Sequence, residues 1–93
     1  MKIVYKETFV KRLEKQLIYL SENSPKSARK LKAELIKRIK EIPENPYLFR
    51  KSIYFENDLI RDLIYKGYTI VFRINNNQIE IFGFTRFQEN PTD

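Results

Sequence analysis

A chain of 93 residues that is 42% hydrophobic and 14% aromatic suits one folded domain, residues 1–93, and is too apolar for a disordered segment. It has no cysteine and no histidine, which excludes disulfides, thiolate or imidazole metal ligation and imidazole general-base catalysis. The net charge of +6 is unevenly placed: residues 1–42 carry twelve Lys and Arg against five Asp and Glu, a balance of +7, and residues 43–93 carry six against seven, a balance of −1.

That asymmetry fits either a polyanionic or acidic partner or a Lys-rich helix face that keeps a small protein in solution. No apolar run approaches the roughly 18–20 residues of a membrane span, and the first residues lack the basic-then-apolar layout of a signal peptide. The expected location is the cytoplasm, away from any membrane.

In chain order, "KIVY" (2–5) reads as a short strand, because Ile3, Val4 and Tyr5 favour the pleat. Val10, Leu13, Leu17 and Leu20 then recur at spacings of three and four, one apolar face of a helix, with Lys11, Arg12 and Lys15 mainly off it. "NSPKSA" breaks the helix and starts another: Ser24 is a suitable N-cap and Pro25 suits the first helical position. Ala28, Leu31, Leu35, Ile39 and Ile42 form the second stripe, and Pro43 and Pro46 end it. So short a link makes the pair an antiparallel helical hairpin.

Beyond Pro46 the texture changes, and ten of the 13 aromatics lie from Tyr47 onward. "RKSIYF" (50–55), "LIRDLIYK" (59–66), "YTIVFRI" (68–74) and "QIEIFGF" (78–84) read as strands. The expected fold class is α+β, ordered β-α-α-β-β-β, with a helical hairpin packed on a small antiparallel sheet.

The last two strands flank Asn76-Asn77, a two-residue loop expected to form a type I′ turn. Facing residues then sum to 153. Ile74 meets Ile79, Phe72 meets Ile81 and Ile70 meets Gly83 on one face; Arg73 meets Glu80 and Val71 meets Phe82 on the other. Phe82 and Phe84 would face outward, and a one-residue slip would destroy both patterns. At Lys66-Gly67 two registers remain open. A two-residue loop places Arg61 on the core face opposite Phe72, where Asp58 or Glu56 would be its partner; one more loop residue turns it outward.

"SPKSARKL", "IPENP", "IRDLIYKGYTIVFRINNNQIEIFGF" and the closing "QENP", as an ordered series from about Val4 to Pro91, resemble the RelE/ParE superfamily of bacterial type II toxins. The resemblance implies a growth-inhibiting toxin of a plasmid-stabilisation-type pair, neutralised by a cognate antitoxin and needing no cofactor or metal. RelE-like members cut ribosome-bound mRNA with basic residues and a Tyr. The positions matching their catalytic cations are here Thr69 (after Gly67-Tyr68), Ile60, Asp62 and a site near Glu89. None of these can stabilise a phosphorane as a cation would. "IRDL" followed by "YTIVFRI" looks more ParE-like, with an Arg before the hairpin, as Arg61 is. DNA gyrase is then the expected target; the alternative is a metal-independent mRNA endoribonuclease acting on the ribosome, with Arg61, Arg73, Arg86 and Tyr65 converging on the outer sheet face.

For the closing stretch "GFTRFQENP", Phe84 and Phe87 would anchor the tail, Arg86 is its only cation, and Pro91 would stop further strand pairing. Arg61, Arg86 and Phe87 are the target-binding candidates. The antitoxin would dock on the helical hairpin and on the edge strand near Ile53. Lys30, Lys37 and Arg38 would either steer an acidic segment or form a solvated face.

Overall fold

The computed structural model describes residues 1–86 and 90–92. The chain runs β1 (Lys2–Tyr5), α1 (Glu7–Asn23), α2 (Pro25–Glu41), two 3-10 turns (Ile42–Glu44 and Pro46–Leu48), β2 (Arg50–Lys51), β3 (Ile60–Tyr65), β4 (Tyr68–Asn75) and β5 (Gln78–Arg86). Among the described residues these strands form one five-stranded sheet in the order β1-β5-β4-β3-β2. The sheet is mixed rather than wholly antiparallel, because β1 runs parallel to β5.

Ser24 serves both helices. Its N–H donates to Leu20 O at 2.9 Å and closes α1, while its hydroxyl accepts from Ser27 N at 3.2 Å and caps α2, with Pro25 next in line. Of the expected stripes, Val10, Leu17, Leu20 and Leu31 are half-buried, while Leu13 from α1 and Ala28, Leu35 and Ile39 from α2, followed by Ile42, are buried, joined by Phe9 from outside the expected stripe. The buried ones pack on the sheet face made by Leu63, Tyr68, Ile70, Phe72, Ile74, Ile79, Ile81 and Phe84. Edge-on ring contacts, Phe49–Phe72 at 5.5 Å and Phe9–Phe84 at 6.1 Å, close its two ends.

The β4–β5 register follows the expectation near the turn, with Ile74 opposite Ile79, Arg73 opposite Glu80 and Phe72 opposite Ile81. The turn is not type I′, which needs positive φ at both central residues; among the two only Asn76 has it, at 54°. A bulge then shifts the ladder between Val71 and Phe72, so that Val71 faces Gly83 and Ile70 faces Phe84. The extra residue is Phe82, and every later side chain of β5 changes face. Phe84, expected outward, is buried in the core and stacks on Tyr68 at 5.4 Å.

At Lys66-Gly67 the two-residue loop holds: Tyr65 pairs with Tyr68, and φ is positive at both Lys66 (48°) and Gly67 (84°). Arg61 therefore lies on the helix-facing side, opposite Phe72.

The expected strand 50–55 is only two residues long. Ser52 N–H still reaches Ile60 O, but Ile53 N–H donates to Asp62 Oδ2 and Tyr54 N–H to Ser52 Oγ. Side-chain acceptors replace the ladder, and the chain turns onto the outer sheet face, where Phe55 meets Phe82 at 5.5 Å.

Candidate functional site

Arg61 is partly buried where β3 begins. Its Nε donates to Asp58 O at 2.8 Å, and its Nη1 donates to Tyr47 O at 3.2 Å and Phe49 O at 3.0 Å. The guanidinium carbon also stands 5.3 Å from the centre of the Tyr47 ring. The expected acidic partner is replaced by main-chain carbonyls, since the Asp58 carboxylate is turned to Lys51 at 3.2 Å. Three carbonyls shared between Nε and Nη1 suit the flat, five-donor fork of Arg.

The other cations expected around Arg61 do not gather there. Arg73 lies on the opposite face of the sheet, its Nε 3.1 Å from Glu80 Oε1. Tyr65 shares the helix-facing side with Arg61 but sits at the far end of β3, where its hydroxyl donates to the Glu34 carboxylate. Lys66 Nζ reaches the same carboxylate oxygen at 3.4 Å, and Arg38 and Lys66 stand 5.8 and 5.4 Å from the Tyr65 ring. Arg86 ends β5, its guanidinium 5.4 Å from the Tyr68 ring. Phe87 and Glu89 lie outside the described residues.

Of the positions that the resemblance matches to RelE-like cations, three lie on the outer sheet face. Ile60, Asp62 and Thr69 are all buried there. The Asp62 side chain is fully enclosed; its Oδ2 accepts from Arg50 Nη2 at 3.1 Å and from Ile53 N at 3.2 Å. Asp62 Oδ1 and the Tyr54 hydroxyl are buried without a hydrogen-bond partner. An enclosed carboxylate held by Arg50 and the Ile53 N–H is the reverse of a phosphate cradle.

Cations do assemble elsewhere. Between α1 and the end of β5 lies a cavity of about 550 Å³ bordered by Lys11, Arg12, Lys15, Tyr19 and Arg86, with Gln16 held toward Tyr68 at 3.2 Å. Arg12 Nη1 donates to Phe84 O and to Asn90 O, both at 2.8 Å. Lys11 pairs with Glu7 at 2.6 Å, and that hydrogen bond and charge lower the Glu7 pKa. The sequence alone placed these lysines and Arg12 off the apolar stripe; what it lacked was the sheet end that faces them.

A second, apolar cavity of about 440 Å³ runs along the hairpin between Tyr5, Val10, Leu13, Leu17 and Ile36. Its rim cations are Lys32 and Lys40, which were not singled out from the sequence. Burial raises the Tyr5 phenol pKa. Lys30, Lys37 and Arg38 are exposed on α2, and Arg38 pairs with Glu41 at 3.4 Å. At 3.6 residues per turn Lys30 points about 160° away from Lys32, so it does not share that rim. The spacing Lys32, Ile36, Lys40 was the available signal. Ile53 is exposed just past β2.

Among the described residues no group of three or more Asp, Glu, His or Cys is placed to hold a metal, and no helix is long and apolar enough to cross a membrane. A search of curated proteins found no match. A family model described as "ParE toxin of type II toxin-antitoxin system, parDE" matches residues 3–90. That match runs from β1 through the sheet to the returning tail, the same elements that build the fold, so the chain belongs to the ParE toxin family of type II toxin–antitoxin systems, and the family implies a cognate antitoxin as its partner.

Proposed function

We propose that this toxin stops growth by binding DNA gyrase and does not cut RNA. One observation carries the reading: at the sheet positions where a ribonuclease relative would place its cations, this chain has Ile60, Asp62 and Thr69, all buried. Cleavage of a phosphodiester needs preorganised positive charge at the developing phosphorane and a group to take the 2′-hydroxyl proton. Arg61, committed to three carbonyls, would act by shaping the surface around it. Arg86 and Phe87 remain proposed target contacts.

The cognate antitoxin is proposed to lay an amphipathic, acidic segment along the apolar cavity beside Tyr5 and Ile36, with Lys32 and Lys40 meeting its carboxylates. Lys30, Lys37 and Arg38 would add long-range attraction, and Ile53 a contact at the sheet edge. Raising salt should then slow association more than it speeds dissociation.

The cations around the α1–β5 cavity favour a second reading, that of a ribosome-dependent endoribonuclease with Arg86 at its centre. One purified sample separates the two. Gyrase-dependent breakage of supercoiled DNA with ribosome-bound mRNA left intact supports the first; cut mRNA with gyrase unaffected overturns it, and Arg86→Ala would then abolish that cleavage.

A further inference from the structure

Leu48 is 79% exposed, the largest exposure among the large hydrophobic side chains described. It is not on a loose end. It closes the 3-10 turn Pro46–Leu48, and the carbonyls on either side of it, Tyr47 O and Phe49 O, are both held by Arg61 Nη1. The same guanidinium stands over the exposed Tyr47 ring and also binds Asp58 O, the carbonyl just before the half-exposed Leu59. Two hydrogen bonds fix the main chain on either side of Leu48, so this apolar knob projects from a set backbone position. A backbone fixed in advance has no ordering cost left on binding, which favours its exposed side chain as an interface anchor.

Beside the knob is a hollow of about 220 Å³ lined by Glu41, Glu44, Asn45, Leu48 and Phe49. Of its two acidic lining residues, Glu41 pairs with Arg38 at 3.4 Å, and Glu44 is the one that gives this rim of a +6 chain an acidic side chain. It shares no lining residue with the Lys-rimmed cavity between the helices, so the two surfaces differ in both place and sign. A partner drawn to one is repelled by the other.

We infer that Tyr47 and Leu48, set by Arg61 beside Glu44, form the docking site for the protein this toxin attacks, through a segment carrying an apolar side chain next to a Lys or Arg. The inference rests on the toxin role and is independent of whether gyrase is the target.

The test is growth arrest on induced expression, with antitoxin affinity and thermal unfolding measured on the same variants. Leu48→Asp should lose growth arrest while its melting temperature and antitoxin affinity stay close to the wild type. Leu48→Ala, which adds no charge, should act in the same direction, raising the dose needed by roughly tenfold, as expected for an interface anchor. Glu44→Lys should also weaken arrest, and adding salt to the wild type should weaken target binding. Leu48→Asp that arrests growth like the wild type overturns the site. So does parallel loss of antitoxin affinity, which would assign the knob to the antitoxin. An unchanged Glu44→Lys removes the basic partner. A wild-type chain that does not arrest growth removes the target and this site with it, whereas arrest without any effect on gyrase refutes only the gyrase reading.

Discussion

Gly83 and Pro91 touch because Gly83 has no side chain: a Cβ built there would lie 3.3 Å from Pro91 Cβ and 2.9 Å from Val71 Cβ. The bulge at Phe82 creates this meeting, since it slides Gly83 opposite Val71. The tail then returns beside β5, where the Phe84 N–H donates to Pro91 O at 3.1 Å. Pro91 thus supplies an acceptor to the strand instead of only ending it. Gly83→Ala should cost about 1–3 kcal/mol, the usual range for overpacking. Urea unfolding measures the cost, and faster hydrogen exchange at the Phe84 amide would locate it in the tail.

Arg12 should hold the same tail from the helix side. One nitrogen serves Phe84 O and Asn90 O, joining α1 to residues 72 and 78 positions away in the chain. Arg12→Leu is expected to lose about 1.5–3 kcal/mol, the range for hydrogen bonds made by a charged group. The melting temperature should fall and the Phe84 amide lose protection, with the amides of the Asn76-Asn77 hairpin turn unaffected.

Arg61→Lys tests the carbonyl clamp. Lysine keeps the charge but cannot span Asp58 O, Tyr47 O and Phe49 O at once. A loss of about 2 kcal/mol is expected by denaturant titration. A purely electrostatic role would leave the Lys variant near wild-type stability.

Asp62→Ala should destabilise by about 2–3 kcal/mol through its bonds to Arg50 and to Ile53 N. Arg50 is partly exposed and can turn to water, which keeps the cost below that of stranding a buried charge. Limited proteolysis between 52 and 58 should become faster, because the carboxylate pins that segment to the sheet.

Tyr5 gives a pH dependence. Burial raises its folded pKa above the ordinary 10.0, so the folded state favours the neutral phenol. That contribution is fully present below about pH 10, the unfolded value, and is lost as pH rises through the folded one. Thermal melts should therefore fall in the alkaline range more steeply for the wild type than for Tyr5→Phe.

Much of the architecture is legible in local pattern. Three- and four-residue spacings place both helices, Ser24-Pro25 marks the junction, and alternation around Asn76-Asn77 sets the pairs Ile74–Ile79, Arg73–Glu80 and Phe72–Ile81. Arg61 could be identified as unusual, and with a two-residue loop its place opposite Phe72 followed; the carbonyls that satisfy it did not. Those carbonyls belong to irregular backbone at 47, 49 and 58, which has no periodicity to read. The Lys32–Lys40 rim and the α1–β5 cavity were missed for a related reason: a cation on a helix looks like any other until the neighbouring element is known.

By itself, then, the sequence determined the two helices and the strands from Ile60 onward, the oily side of the β4–β5 ribbon near its turn, and that chemistry here must do without thiols and imidazoles, because such properties reside in residues a few positions apart. Only the tertiary structure decided where β5 changes face, how the tail returns and which groups satisfy Arg61 and Asp62. Those outcomes depend on contacts between residues far apart in the chain, such as Arg12 and Asn90, whose strength is set by where packing brings them together.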